Sequence, residues 1–157
     1  MSFAESFLEE FDPEMAATRR MLERVPADKL DWRPHGKSKS LGELATHITE
    51  LPRFGLRIQS DEFAGGSDKP PAMRSAAELL ARFDANVRAS RESIAAMSDE
   101  ALARQFTVTR NGRPFFTLTK QGILRRILLN HIVHHRGQLS VYLRLNDVPL
   151  PAVYGPT

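Results

Sequence analysis

Apolar residues recur at alternating steps of three and four along most of the chain, the period of an amphipathic helix rather than of a strand. Phe3, Phe7, Phe11, Met15, Thr18, Leu22 and Val25 predict a first helix over about residues 3–25, with Ser2 and Glu5 as a capping box at its start. Pro13 removes one helical hydrogen bond and crowds the carbonyl four residues back, so the segment is expected either to kink or to split, with Asp12 capping the second piece. Pro26 ends it in both cases.

After a turn-rich connection, Asp31-Trp32-Arg33-Pro34-His35-Gly36, a second capping box of Ser40 and Glu43 opens helix two. Leu41, Leu44, Ile48, Leu51 and Ile58 form its buried stripe, with His47 at the edge; Pro52 is expected to bend the helix, which yields by Gly65-Gly66, and residues 67–71 read as linker. Ser75 and Glu78 are a third capping box, starting helix three along Leu79, Phe83, Val87, Ser90, Ile94 and Met97. Phe106 to Thr109 and Phe115 to Leu118 alternate around Asn111-Gly112, which predicts a short, irregular hairpin in spite of Pro114. Thr119 is placed to cap the last helix, running to about Leu145 with an inner line of Leu124, Leu128, His131, His135, Gln138 and Tyr142.

The resulting expectation is an all-α fold, a four-helix bundle with one short hairpin before the last helix, forming a single domain over residues 1–157. The proline-rich tail cannot be helical, but Val153 and Tyr154 can pack back onto the bundle. Its 157 residues, 41% of them hydrophobic, suffice for a core without staples. Cysteine is absent, which removes disulfides, Cys-ligated metals and any protein thiol nucleophile. A net charge of +3, with the one basic cluster (Arg33, His35, Lys37, Lys39) in a loop, gives no reason to expect a nucleic-acid partner. The amino terminus lacks a basic n-region and an apolar h-region, and no run approaches a membrane span; a cytoplasmic protein without a membrane partner is expected.

Candidate chemistry lies in the five histidines. His131 and His135, four residues apart, present their imidazoles on one helix face about 6 Å apart along the axis. They continue the line of Leu124 and Leu128, so the helix would bury two titratable rings unless something binds them. His47, also beside an apolar stripe, is the best third donor for a single ion that keeps a coordination position open. Glu43 and Glu50 lie at helix-neighbour spacings from His47; Glu43 is read as a cap, and Glu50 as a candidate to orient the ring or bind the ion. His134 points about 100° away from His135 and suits a rim or substrate contact rather than a ligand. Gln138 and Tyr142, one and two turns past His135, are candidates to hydrogen-bond a ligand or substrate, and His35 is incidental.

Ile132 follows the first histidine where metalloproteases carry their glutamate base, so that peptidase mechanism is not written in this helix. A two-His-one-carboxylate iron site would need Glu50 or another acid in place of one histidine, and ferritin-like di-iron sites need inward carboxylates that the last helix lacks.

Trp32 with Pro34, the block Ser40-Leu41-Gly42-Glu43-Leu44-Ala45-Thr46-His47-Ile48, and the block His131-Ile132-Val133-His134-His135-Arg136-Gly137-Gln138-Leu139, continuing through Tyr142-Leu143-Arg144 into the proline-rich tail, together resemble the DinB superfamily of bacterial DinB/YfiT-like metalloenzymes. The resemblance implies a four-helix bundle, often a homodimer, in which His47, His131 and His135 hold one divalent ion, commonly zinc or nickel. Some relatives resemble transferases of low-molecular-weight thiols such as bacillithiol or mycothiol, and others are hydrolases. With no cysteine in this chain, a thiol must come from a cofactor or substrate. Metal-assisted thiol transfer to a small electrophile is therefore the first expectation, metal-assisted hydrolysis the alternative, and a structural metal in a non-enzymatic protein the third. No catalytic residue beyond the metal ligands is assigned.

Overall fold

In the computed structural model, which describes residues 1–66 and 71–155, the apolar stripes become helices α1 (Phe3–Leu22), α2 (Leu41–Glu50), α3 (Phe54–Arg57), α4 (Ala76–Ala95), α5 (Asp99–Ala103), α6 (Lys120–Gly122) and α7 (Asn130–Leu145). The chain is mostly helical. Helix α1 packs against α4 and α7, and α2 packs against the same two, so the four long helices close around one core. Phe7, Phe11 and Leu22 of α1, Leu44 and Ile48 of α2, Leu79 and Phe83 of α4, and Leu139 and Leu143 of α7 are buried there.

Local chemistry explains the boundaries. The capping boxes at Ser2 and Ser40 are complete, each hydroxyl accepting from the glutamate amide three residues on while that glutamate accepts from the serine amide. Ser75 accepts from the Glu78 amide, but the Glu78 carboxylate takes the Arg74 amide instead, so only half of the third box forms. Pro13 neither ends nor splits α1, because burial of Phe7, Phe11 and Met15 on both sides of it holds the helix through the lost hydrogen bond.

Helix two is shorter than expected. Pro52 cannot donate, and the chain tightens at Leu51–Arg53 into a 3₁₀ turn, followed by one turn of α3. It then enters a strand, β1 (Glu62–Gly65), where a helix end was expected. The all-α expectation is corrected accordingly. Strand β1 pairs parallel with β2 (Gln105–Arg110), which pairs antiparallel with β3 (Arg113–Thr119), in the order β1-β2-β3.

The hairpin β2–β3 turns on Asn111 and Gly112, both left-handed at φ 53° and 72°, as a two-residue turn that follows the twist of its strands requires. Pro114 is tolerated on the edge strand next to a bulge, where Thr109 faces Pro114 and Val108 faces Phe116. Most of the expected linker, residues 67–70, and the end of the tail, residues 156–157, lie outside the described residues. No helix among the described residues is long and apolar enough to cross a membrane.

The last helical segment is continuous but not uniform. Thr119 caps it by accepting from the Gly122 amide, and between α6 and α7 residues Ile123–Leu129 form a π-helical stretch. Asn130 there reaches back five residues to the Arg125 carbonyl. Such wide turns cluster at functional sites, and this one ends two residues before His131. At the other end, Val148, Leu150 and Val153 of the tail pack on the core. The Tyr154 hydroxyl lies between Arg136, at 2.5 Å, and Glu14, at 2.7 Å.

Candidate metal centre

Packing of α2 on α7 brings His47 to His131 and His135. Nε2 of His131 is 2.9 Å from Nε2 of His135 and 3.4 Å from Nε2 of His47. The candidate ligand atoms of all three lie within 4.8 Å of one another. Two nitrogens held by one tetrahedral ion at about 2.05 Å are separated by roughly 3.3 Å. The observed spacings match that value closely enough for one cation to bridge them without moving either helix.

Hydrogen bonding fixes which nitrogens are available. Nδ1 of His135 is 2.7 Å from Oε1 of Gln138, and Nδ1 of His131 is 3.2 Å from the carbonyl of Ile127 in the π-helical stretch. Both partners are acceptors, so each Nδ1 carries the proton and each Nε2 presents a lone pair. Two lone pairs aimed at each other across 2.9 Å repel unless a cation lies between them. The donor set therefore fits a divalent ion.

Burial keeps the rings neutral. It is the largest cause of the depressed pKa of His47, pushed down to about 3, with further lowering by the charges of His135, His131 and Lys39. His135 is pushed down to about 4, again chiefly by burial and against the upward pull of Gln138. His131 is lowered by burial too. All three imidazoles are thus unprotonated at neutral pH, the form that coordinates.

The remaining candidates separate into two groups. Gln138 is at the site, as the acceptor that orients His135. Replacing it with leucine removes that acceptor, and a loss of metal affinity of about 10–100-fold is expected, read by competition with a chelator; unchanged affinity would show that the ring needs no such partner. His134 is exposed, its ring centroid 4.8 Å from that of His135, and it contributes no atom to the cluster.

Glu50 does not orient His47. Its two oxygens accept from Arg53 at 2.8 Å and Arg82 at 2.9 Å, two full charges that outcompete a neutral imidazole. Tyr142 is also elsewhere, because two turns carry it about 10 Å along the helix from His135. Its ring stands edge-on to Trp32, and its hydroxyl donates to the Lys39 carbonyl at 3.2 Å. It fixes the loop before α2; in the first turn of α2, Gly42 lies so close to Leu30 that a Cβ would meet its backbone oxygen at 3.2 Å. Glu43 caps α2 and has Arg33 at 3.7 Å, and His35 accepts from the Lys37 amide within its own loop.

His47 and His131 open onto a cavity of about 890 Å³. Its far wall is the small sheet, with Phe63, Val108 and Phe116, and its rim carries Lys39, Arg57 and Arg110. None of these wall residues reads as a site residue in the sequence, although Val108 and Phe116 fall in the expected hairpin. Strand β1 reads Glu-Phe-Ala-Gly, too short and too little apolar to register as a strand, and only its pairing with β2 reveals the wall.

A family model described as the DinB superfamily matches residues 10–139. The Bacillus subtilis (strain 168) protein YrdA is 25% identical over 96% of this chain and 87% of its own length. The crystal structure of a DinB-like protein from Bacillus cereus ATCC 10987 superposes with a TM-score of 0.77 at 26% identity, covering 96% of this chain and 97% of the other. That of the DinB-like protein YjoA from Bacillus subtilis gives 0.72 at 19% identity, covering 94% and 97%, a likeness of fold.

Proposed function

Because this chain belongs to the DinB superfamily, we propose that it is an enzyme dependent on one divalent ion, zinc or nickel, held by His47, His131 and His135, and that it transfers a low-molecular-weight thiol to a small electrophile. The observation that carries the reading is the convergence of three Nε2 atoms at the edge of an open cavity. A structural ion is closed in by its protein ligands, whereas three ligands beside a cavity leave room for an outside molecule. When bound, the ion supplies positive charge that lowers the pKa of a thiol or water beside it.

The chain's own residues hold and shield. Gln138 and the Ile127 carbonyl fix two of the rings with their protons on Nδ1, leaving each Nε2 lone pair for the ion. Phe63 and Phe116 offer an apolar wall against which an electrophile can lie out of water. In the overall reaction the thiol loses its proton to solvent, a sulfur–carbon bond forms, and the bond to the leaving group breaks.

Of the glutamates lining the cavity among the described residues, Glu43 is engaged in a cap and Glu50 between two arginines. Activation of the nucleophile therefore falls to the ion rather than to a carboxylate base, for a thiol and for water alike, and hydrolysis is the alternative that the test separates. The test pairs the metal-loaded protein with an aryl halide and, in turn, bacillithiol, mycothiol, glutathione or no thiol. Turnover with one of the thiols, absent from the His131→Ala variant, is expected. Equal rates in both proteins for every thiol would overturn thiol transfer, and turnover of an aryl ester without thiol would turn the reading to hydrolysis.

A further inference from the structure

Within the cavity beside the histidines, Arg57 is held in place with no anionic partner among the described residues. The Arg57 guanidinium lies 4.0 Å from the ring centroid of Phe63 and 4.6 Å from that of Phe54, and these two rings meet edge to face at 75°. Aromatic faces hold a guanidinium through its flat surface and leave its in-plane N–H groups free. Among the described residues none of those groups makes a hydrogen bond or an ion pair.

The neighbouring arginine behaves differently. Arg53 is neutralised by Glu50 at 2.8 Å, and Glu50 is shared with Arg82 at 2.9 Å, so no acidic group of this cluster is left over for Arg57. Among the described residues, five lysine or arginine side chains line the cavity against two glutamates. A half-buried, unpaired charge is costly; burial and the charge of Arg53 both disfavour the ionised Arg57, which Glu50 only partly offsets.

We propose that Arg57 anchors an oxyanion group, carboxylate or phosphate, of a small molecule whose apolar body lies along Phe63, Val108 and Phe116. The inference rests on the substrate site assigned above and names the chemical class that it takes. Arginine suits both oxyanions because its fork of N–H donors matches two oxygens at once. The rings hold the fork in advance, so little side-chain freedom is lost on binding.

Calorimetry with benzoate, phenyl phosphate and neutral benzamide, which share a ring and differ in the headgroup, tests this on the full chain as purified, with metal content measured in parallel. At least one anion is expected to bind about tenfold or more tighter than benzamide. Arg57→Gln should abolish that preference with metal content unchanged, and Arg88→Gln, an exposed charge on α4 outside the cavity, should keep it. The tighter of the two anions identifies the headgroup. Equal binding of all three compounds, or a preference that survives Arg57→Gln or is lost equally in Arg88→Gln, overturns the proposal.

His131→Ala separates this inference from the metal reading. Anion preference that persists without metal supports the anchor, and preference that vanishes with the metal places the anion on the ion and overturns it. Stoichiometric metal absent from the native protein, with anion preference present, would defeat the metal reading alone. Phenylglyoxal labelling mapped by mass spectrometry needs no variant: benzoate or phenyl phosphate, but not benzamide, should slow modification of Arg57 about fivefold or more, and an unchanged rate overturns the proposal.

Discussion

Replacing His131 with alanine is expected to lower metal affinity by on the order of a hundredfold or more, since each ligand of a four-ligand site contributes about 3 kcal/mol. The Nε2 of His131 is within 3.4 Å of both other Nε2 atoms, and its loss leaves two ligands on different helices. The helix itself should survive, because Leu128, Ile132 and Leu139 supply its buried face. His134→Ala should leave the affinity unchanged, since His134 contributes nothing to the cluster. Competition with a chromophoric chelator measures both variants. Equal losses for the two would mean that the donor set has been misassigned.

The largest effect on stability is expected from Glu14→Ala. Arg136 is 3% exposed, forms an ion pair with the Glu14 carboxylate at 2.6 Å, and donates to the Glu14 carbonyl at 3.1 Å and Thr18 Oγ1 at 3.3 Å. Removing the carboxylate leaves a guanidinium charge in the core with neutral partners only. Breaking a buried pair from one side costs about 3–5 kcal/mol, and the surviving hydrogen bonds put this case near 3. It also removes one of the two partners of the Tyr154 hydroxyl, leaving Arg136 alone to hold the tail there. Urea unfolding followed by circular dichroism gives the number. A loss under about 1 kcal/mol would show that water reaches the guanidinium when Glu14 is gone.

Much of the fold was legible because burial in helices leaves a period. The stripe from Phe3 to Leu22, the serine caps and the Asn-Gly turn each state a local preference that the packed structure keeps. Strand β1 and helix α5 were not legible. Four residues of β1 gain stability from β2, about forty residues later, and α5 is one turn begun by the Ser98 cap. Pro52 was read as a bend because sequence period alone does not show whether an interrupted helix resumes. Here it resumes for one turn only and then gives way to the sheet that walls the cavity.

In the candidate site, the i, i+4 spacing of His131 and His135 and the position of Gln138 one turn on were enough to place three side chains on one face. Glu50 shows where spacing fails. It lies three residues from His47 and also three from Arg53, and full charges decide between those neighbours in a way that spacing does not. Arg136 and Arg57 carried no sequence signal at all, one buried with Glu14 and the other between two phenylalanines that only the tertiary fold brings together.

X-ray absorption at the metal edge, on protein purified without an affinity tag or added metal, tests the central claim most directly. One divalent ion per chain is expected, with three imidazole nitrogens at about 2.0–2.1 Å and a further light atom from solvent completing the shell. Protein that folds natively with no bound metal, or an ion whose shell lacks three histidines, would contradict the account.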